Sequence, residues 1–330
     1  MSLNTRQRPS RQSAYSRKWA ETEKTTGNGE RTSITINGRT LSLSNLEKVL
    51  YPKAGFTKAQ VIDYYARVAK VLLPHLKDRA LTLKRYPDGV EGEFFYEKRC
   101  PSFRPPWVKT APIWSSRQRE RISFCLANDL PSLIWAANLA DLELHTSLAR
   151  YQHPERPTVL VFDLDPGDGV DVVDCAQVAL WLREFLANQR LKCFAKTSGS
   201  KGLQVYAPLN TPVTFEQTKD FARGAAEWLA AAHPDRIVHR IEKRLRKGKV
   251  FIDWSQNDDH KTTVSVYSLR AKERPTVSTP LKWEEVESAL AKAPAGLSFE
   301  SDEVLKRVEK LGDLFEPVLL MKQKLPHWTR

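Results

Sequence analysis

Two aspartates follow a short apolar run in the middle of the chain. The run Val159–Phe162 predicts a buried strand, and Asp163 and Asp165 continue it at positions i and i+2, so their side chains share one face. Neighbouring carboxylates raise each other's pKa unless a cation neutralises them, and a hard divalent cation such as Mg²⁺ or Mn²⁺ does this best. The alternative is that one aspartate caps the following loop while the other is solvated.

A third aspartate, Asp253, ends a second apolar run, Val250–Ile252. The order β-α-β-β-α-β predicted for this half of the chain allows the second run to lie beside the first. Three carboxylates on adjacent strand ends would suit two metal ions about 3.5–4 Å apart, the arrangement that serves phosphoryl transfer. The alternative is that Asp253 pairs with a nearby lysine or arginine.

Residues 196–202 read KTSGSKG and stand between two predicted strands. Glycines permit close backbone approach to a ligand and Lys201 supplies charge, so the composition is typical of a phosphate-binding loop. It lacks the spacing of a Walker A loop, and an ordinary hairpin turn is the alternative. Other side chains that could complete a triphosphate pocket, although each alone is equally typical of a surface or core residue, are Lys84, Arg85, His145, Arg246 and Arg270.

The elements that must position these residues divide near residue 155. The first half is predicted to be α+β with mainly antiparallel strands. It includes a hairpin at Asn37-Gly38, a short helix from Ser44 or Asn45 to Leu50, and a helix capped by Thr57. A Pro-rich loop is predicted at 100–112, and strands at 80–86, 92–97, 121–126 and 141–146. In the second half, strands are predicted at 158–163, 192–197, 203–207, 250–253 and 262–268, with helices at 172–188, 214–232, 282–291 and 301–311.

The composition favours a polyanionic partner. The chain has 330 residues, 52 Lys+Arg, 39 Asp+Glu and a formal net charge of +13. Residues 1–31 carry seven basic and three acidic residues and almost no aliphatic ones, which predicts a disordered arm. No apolar stretch suits a membrane span or a signal peptide. The scattered cysteines 100, 125, 175 and 193 predict neither a zinc ribbon nor a disulfide framework, and hence a reduced cytosolic interior.

Together these motifs resemble the polymerase domain of bacterial ligase D and its stand-alone relatives, within the archaeo-eukaryotic primase superfamily. The resemblance covers about Leu41 to Trp328 and rests on the order and spacing of eight segments. They are LSNLEKVLYP, GFTKAQVIDYYARVA, FFYEK, LELHTS, VFDLDP, KTSGSKGLQVY, KVFIDWSQN and KTTVSVYSLR. The implied fold is α+β: an N-terminal α/β module at 32–155 and an RRM-like (ferredoxin-like) catalytic sheet plus C-terminal helices at 156–330.

The resemblance implies a template-dependent nucleotidyltransferase that fills short gaps and extends broken DNA ends, preferring ribonucleotides. Asp163, Asp165 and Asp253 would hold two divalent cations, Mn²⁺ or Mg²⁺, and would be the catalytic residues. The nucleotide would be bound by Lys84, His145, Ser198, Lys201, Gly202, Arg246, Gln256 and Arg270, with His145 near the ribose. DNA would be bound by Asn45, Lys48 and Lys58 at a downstream 5′-phosphate and by stacking on Phe95 and Tyr96.

The implied partners are gapped or broken DNA with a 5′-phosphate, NTP or dNTP, and Ku with an ATP-dependent DNA ligase. We expect a monomer in the bacterial cytoplasm, associated with the nucleoid and not with a membrane. The pathway is either end joining or excision-repair gap filling. Because no ligase or nuclease motif is present, the chain is either a stand-alone protein or an excised domain. Two other functions are alternatives: a non-catalytic DNA-end-binding module and, less favoured, a DxD metal-dependent sugar-nucleotide transferase.

Overall fold

The computed structural model describes residues 21–25, 31–115, 118–291 and 297–327. Its first unit is a three-stranded antiparallel sheet of β1 (Glu21–Thr25), β2 (Arg31–Ile36) and β3 (Arg39–Ser44). The predicted hairpin is present, with positive φ at Asn37 and Gly38 as its tight turn requires. The prediction of a disordered arm at 1–31 is wrong for residues 21–25, because these residues pair with β2. Residues 1–20 and 26–30 lie outside the described residues.

The helix predicted from Ser44 or Asn45 to Leu50 is wrong. Lys48 N donates to the Asn45 carbonyl across a tight turn, and the chain then extends as β4 (Val49–Tyr51). This short strand pairs with β5 (Phe56–Thr57) beyond the 3₁₀ helix Pro52–Ala54. Pairing with β5 supplies the backbone hydrogen bonds that a six-residue helix ending at a proline could not make for itself.

Thr57 caps α1 (Lys58–Leu76) with a capping box, as predicted. This helix packs on a six-stranded sheet of β6 (Leu81–Arg85), β7 (Phe95–Glu97), β8 (Thr110–Ser115), β9 (Glu120–Cys125), β10 (Asp141–Thr146) and β16 (Thr263–Val264). The loop predicted at 100–112 is corrected at its end, because β8 begins at Thr110 and pairs along β9. The helix α2 (Leu130–Asn138) is capped by Asp129.

Another six-stranded sheet consists of β11 (Val159–Pro166), β12 (Phe194–Thr197), β13 (Leu203–Pro208), β14 (Ile237–Val238), β15 (Val250–Asp253) and β17 (Pro280–Leu281). Its strand order is β14-β15-β11-β13-β12-β17. We call it the second sheet, and we call the six-stranded sheet that contains β6 and β10 the first sheet. Helices α3 (Val172–Asn188) and α4 (Phe215–Ala232) complete the predicted β-α-β-β-α-β unit. The strand that ends in Asp253 therefore lies beside the strand of Asp163 and Asp165, as the sequence led us to expect.

The chain closes with α5 (Trp283–Ala289), α6 (Ser301–Leu311) and α7 (Glu316–Leu320). The strand predicted at 262–268 is shorter than expected, because only β16 pairs and the chain then turns through Tyr267, whose φ is +64°. Among the described residues, no helix combines the length and apolar content that a bilayer span needs.

The two sheets share one of the two hydrophobic cores. The larger core includes Val61 and Leu72 of α1, Val161 of the second sheet, and Val266 and Leu269 beyond β16. The smaller core lies between the second sheet and its helices. Strand β16 belongs by sequence to the second half but pairs with β10 of the first sheet, so the predicted division near residue 155 is crossed by both backbone pairing and packing.

A disulfide joins Cys100 to Cys125, and the expectation that no disulfide is present is corrected. Cys125 ends β9, and Cys100 N donates to the Ser123 carbonyl of that strand, which brings the two side chains together. Both are buried, and the pairing depends on the hairpin β8–β9, which the sequence analysis took partly as loop. Cys175 and Cys193 are buried free thiols.

We expect the Cys100→Ser substitution to lower the free energy of unfolding of the oxidised protein by about 2–4 kcal/mol, because the bridge closes a loop across a separation of 25 residues. Chemical denaturation with and without reductant measures this. Reductant should bring the wild type to the stability of Cys100→Ser and leave that variant unchanged, whereas Cys193→Ser should keep its response. A wild type indifferent to reductant would contradict the pairing.

Candidate functional site

A cleft of about 400 Å³ opens between the two six-stranded sheets and gathers most of the predicted catalytic and nucleotide-binding side chains. The predicted residues that line it are His145, Asp163, Asp165, Ser198, Lys201, Arg246, Gln256 and Arg270. They come from five separated stretches of the chain. The cleft therefore joins the acidic pair, the KTSGSKG loop and the two candidate arginines in one place.

The acidic residues belong to a row of side chains that crosses the second sheet. Asp163 lies directly opposite Asp253 of β15 on one side and opposite Gln204 of β13 on the other. Gln204 in turn lies opposite Lys196 of β12. Because directly paired residues of antiparallel strands project to the same face, Asp253, Asp163, Gln204 and Lys196 form one continuous row. Asp165 stands next to this row, two residues along β11.

Burial and mutual repulsion disfavour the ionised form of the carboxylates in this row and of Asp165 beside it. Burial raises the pKa of Asp163, and the neighbouring Asp165 and Asp253 raise it further, while Gln204 and Lys196 oppose the shift. Burial and Asp253 also raise the pKa of Asp165, against Arg246. A cluster of three oxygen-donor groups whose charge is not neutralised fits a hard divalent cation.

Lys196 is buried completely, and the sequence analysis did not identify it as a separate residue of the site. Its ammonium group donates to Gln204 Oε1 at 2.5 Å, to Ser278 Oγ at 2.6 Å and to the Val264 carbonyl at 3.2 Å. Burial lowers the pKa of Lys196 and the Asp163 carboxylate opposes this. Three acceptors satisfy all three protons, so this lysine is the positive end of the row.

The loop after β12 is folded around the Ser198 hydroxyl, which accepts from the backbone N–H groups of Ser200 and Gly202 at 3.2 Å each. A Cβ at Gly202 would lie 2.0 Å from the Leu164 carbonyl oxygen, so only glycine allows the loop to approach β11 this closely. Gly199 has φ +67° and abuts Arg270. Arg270 also donates to the Ser198 carbonyl, which fixes the loop against the arginine.

A buried glutamate, Glu143, is the functional candidate that sequence reasoning missed. Its carboxylate is 2.9 Å from His145 Nε2, 3.1 Å from Lys84 Nζ and 3.4 Å from Arg270 Nε. Burial alone would raise the pKa of Glu143, but the hydrogen bond from His145 and the charges of Arg270 and Lys84 hold it well below its usual range. The signal was the spacing Glu-x-His on β10, which puts both side chains on one face.

Lys84 and Arg85 are neighbours on β6 and project to opposite faces. Lys84 pairs with Glu143 and lies under three aromatic rings, those of Tyr86, Phe94 and Tyr96. Tyr96 also meets the His145 ring at 6.0 Å and is about half exposed, whereas Phe95, equally exposed, lies opposite Arg85 and projects to the other face. Arg85 binds Glu97 and the Leu139 carbonyl, and so lies apart from the cleft in which the sequence analysis placed it.

Gln256 and Arg246 also line the cleft. Gln256 donates its amide to Asp253 Oδ2 at 2.9 Å, so it orients a carboxylate. Arg246 stacks over Phe251 at 3.7 Å and donates to the Ile241 carbonyl. Its charge is one of those that oppose the rise of the Asp165 pKa.

A second basic cluster lies at the start of α1, away from the cleft. Lys58 N donates to the Lys48 carbonyl at 2.8 Å, and Lys58 Nζ donates to the Ser44 carbonyl at 2.7 Å, so the turn of Asn45 and Lys48 is fastened to the helix. Burial lowers the pKa of Lys58 to about 8, and the charges of Lys48 and Arg85 lower it as well. These three cations form a candidate anion site, in which Lys48 is already paired with Asp88 at 2.7 Å and Arg85 with Glu97 at 2.8 Å.

Among the described residues, Asp258, Asp259 and His260 form the one group of possible metal ligands whose ligand atoms all lie within 4.8 Å of one another. Asp258 is already bound to Lys219 at 2.6 Å, and the other two side chains are exposed. This group stands apart from the cation-rich cleft, whereas Asp163 and Asp165 lie within it.

The chain is similar to known proteins over most of its length. The family model described as LigD, primase-polymerase domain matches residues 57–315. The chain is 39% identical over 278 residues to the multifunctional non-homologous end joining protein LigD of Mycolicibacterium smegmatis, covering 84% of this chain and 36% of that protein. It is 33% identical to the bifunctional LigD of Bacillus subtilis, covering 82% and 43%.

A solved structure is similar over the whole of its length. It is the polymerase domain from Mycobacterium tuberculosis ligase D in complex with DNA, with a TM-score of 0.79 and 38% sequence identity. The match covers 86% of this chain and 99% of that one.

We expect the Asp165→Asn substitution to raise the thermal unfolding midpoint of the metal-free protein at pH 8 by about 2–4 °C, roughly 1 kcal/mol. The folded-state pKa of Asp165 is raised above 3.8, so ionising it costs stability as the pH rises past that value. The difference from the wild type should therefore shrink towards pH 4.

The same melting curves with Mn²⁺ complete the test. Mn²⁺ should raise the midpoint of the wild type and of a control, Asp235→Asn, in which the substituted residue is exposed. It should leave Asp165→Asn nearly unmoved. An equal response to Mn²⁺ in all three proteins would exclude Asp165 as a ligand.

Proposed function

The chain belongs to the LigD primase-polymerase domain family and is a DNA-directed nucleotidyltransferase, and on that premise we propose that it fills short gaps and extends ends in DNA with a preference for ribonucleotides. The observation that carries the proposal is the cleft itself. Asp163 and Asp165 line one small cavity together with residues of the loop 198–201 and two arginines, and Asp253 lies opposite Asp163 on the paired strand. That is a charge arrangement suited to a metal-bound triphosphate.

In the proposed reaction, Asp163, Asp165 and Asp253 hold two divalent cations, Mn²⁺ or Mg²⁺. When bound, these cations supply Lewis acidity to the primer 3′-hydroxyl and charge neutralisation at the leaving pyrophosphate. Gln256 keeps the Asp253 carboxylate oriented, and Gln204 does the same for Asp163 from the other side. The Asp253 and Asp163 carboxylates are therefore each oriented by a neighbour before any ligand arrives.

The nucleotide is proposed to lie along the cationic wall. Ser198, Lys201, Arg246 and Arg270, which line the cleft, are proposed to bind the triphosphate together with Gly202 of the same loop. His145 lies beside Glu143 and Tyr96, where the sugar and base of a nucleotide would meet it. Because burial lowers the pKa of His145, the neutral ring is favoured, and a neutral imidazole suits hydrogen bonding to a ribose 2′-hydroxyl.

DNA is proposed to be held at the other side of the gap. Asn45, Lys48 and Lys58 form the grip for a downstream 5′-phosphate; we call these three residues the phosphate grip. Arg85, which lies close enough to lower the Lys58 pKa, is a further cation for this site. Phe95 and Tyr96 offer exposed rings on which bases can stack.

The pathway we propose is non-homologous end joining. It rests on the relatives, which are non-homologous end joining proteins, and the chain spans only 36% of the Mycolicibacterium smegmatis protein. On this proposal Ku and an ATP-dependent ligase act on the same broken ends, and the chain works as a monomer at the bacterial nucleoid. Gap filling in base excision repair would use the same chemistry.

Extension of a labelled primer across a short gap, with Mn²⁺ and ribonucleotides, tests the proposed activity. We expect the wild type to extend the primer and Asp163→Ala/Asp165→Ala to lose about 100-fold or more of the rate, because two metal-binding carboxylates are removed. The matched control Asp220→Ala/Asp235→Ala removes two exposed acids and should extend normally. Full activity in the first double variant would refute the metal assignment.

The phosphate grip predicts a pH dependence. Because the pKa of Lys58 is lowered to about 8, the protonated fraction falls by about tenfold between pH 7 and pH 9. The rate advantage of a downstream 5′-phosphate over a 5′-hydroxyl should fall over the same range. Lys58→Arg stays charged and should keep the advantage at pH 9, and Lys70→Ala, an exposed change on the same helix, should behave as the wild type. A wild type indifferent to the 5′-phosphate would exclude the grip.

A further inference from the structure

The segment Tyr267–Arg270 carries Arg270 into the cleft in an unusual conformation. Tyr267 has φ +64°, a region that a bulky residue adopts only where its surroundings enforce it. The backbone is fixed within the second half of the chain at its two ends, where Tyr267 N donates to the Ser278 carbonyl and Arg270 N to the Thr276 carbonyl. Between these two bonds, Ser268 N donates to the Ser265 carbonyl and Ser278 N donates to the Ser268 carbonyl, and further contacts come from the first half of the chain.

Three buried tyrosines of the first half supply those contacts. Tyr64 donates its hydroxyl to the Tyr267 carbonyl at 2.8 Å, and Tyr51 donates to the Arg270 carbonyl at 3.1 Å. The Tyr65 hydroxyl accepts from Leu269 N at 3.1 Å and donates to the Leu142 carbonyl of β10. All three side chains are almost fully buried. Each of the three hydroxyl groups therefore makes a hydrogen bond to the backbone of the segment Tyr267–Arg270.

The same three tyrosines are continuous with the phosphate grip. Tyr51 ends β4, three residues after Lys48, and Tyr64 and Tyr65 lie on α1, whose first residue is Lys58. The turn of Asn45 and Lys48 is bound to the first turn of α1 by Lys58 N and by Ala59 N, which donates to the Leu46 carbonyl at 2.9 Å. A continuous path therefore runs from the grip to the backbone of Arg270, through the covalent backbone of β4 and α1 and the hydrogen bonds of the tyrosine hydroxyl groups.

We propose that Tyr51, Tyr64 and Tyr65 are positioning residues that couple the phosphate grip to the nucleotide cleft. A 5′-phosphate bound by both Lys48 and Lys58 would draw these residues together and restrict the positions of α1 and β4. Through the three tyrosine hydroxyl groups, this restriction would also hold the segment Tyr267–Arg270, and with it Arg270, in place. Occupation of the grip then raises the affinity for the nucleoside triphosphate. This inference rests on the proposed function, since it takes the grip as the site of a 5′-phosphate and Arg270 as a ligand of the triphosphate.

The coupling is measured by equilibrium binding, which needs no turnover. A fluorescent ribonucleoside triphosphate with Mn²⁺ is titrated onto the full chain bound to a one-nucleotide-gapped duplex, carrying either a 5′-phosphate or a 5′-hydroxyl downstream. We expect the wild type to bind the nucleotide about fivefold more tightly with the phosphate. Tyr51→Phe/Tyr64→Phe should reduce this ratio to about one, and should still prefer the phosphorylated duplex itself. The single variants, measured alongside, should each lower the ratio.

The matched control is Tyr267→Phe. It also removes a buried tyrosine hydroxyl from this region, but that hydroxyl donates to Asp313 and not to the grip side. Melting midpoints of all variants report any general loss of stability. The control should lose stability and keep the fivefold ratio.

Different outcomes separate the two ideas. A wild type that prefers phosphorylated DNA but binds nucleotide equally on both duplexes would overturn the coupling and leave the proposed function intact. Retention of the full ratio by Tyr51→Phe/Tyr64→Phe, or an equal loss in Tyr267→Phe, would overturn the role of the tyrosines. A wild type that does not distinguish the two duplexes in DNA binding would remove the grip, and the coupling with it.

Discussion

The need to pair buried charge in the row Asp253–Asp163–Gln204–Lys196 constrains the register of four neighbouring strands. Removing an ion from water costs several kcal/mol even after the protein relaxes, so buried charges must be paired and hydrogen-bonded. Strand pairing supplies this here, because each member lies directly opposite the next on one face. A slip of one residue in any strand would turn its member into the hydrophobic core. Register, and not only fold, is therefore what the site requires.

The first sheet depends on the same row through β16. The Val264 carbonyl accepts from Lys196, and Thr263 accepts from the Tyr206 hydroxyl, while β16 itself pairs with β10. This puts His145 and Glu143 of β10 over the row. The two halves of the chain thus meet through polar contacts that each half needs, as well as through the shared hydrophobic core. Neither sheet has the complete cleft by itself.

Local signals in the sequence predicted the parts of this arrangement that local physics decides. The capping box at Thr57, the turn at Asn37-Gly38 and the two apolar runs that end in aspartates each depend on a few neighbouring residues. The features that sequence reasoning missed depend on residues far apart in the chain. β4 and the disulfide of Cys100 need partners that only the folded sheet provides. Lys196 stood within a quoted motif, yet its burial under the cleft follows from Val264 and Ser278, 68 and 82 residues away.

Glu143 shows how the cleft stays ordered without a ligand. Cations that are to meet a triphosphate would otherwise repel one another and move apart into solvent. Glu143 holds Lys84 and Arg270 by ion pairs, its other oxygen accepts from Ala271 N, and Arg270 also binds the Ser198 carbonyl. One buried acid therefore sets the positions of both cations and of the loop beside them. In the proposed reaction these groups meet developing charge from fixed positions, so little free energy is lost to their reorganisation.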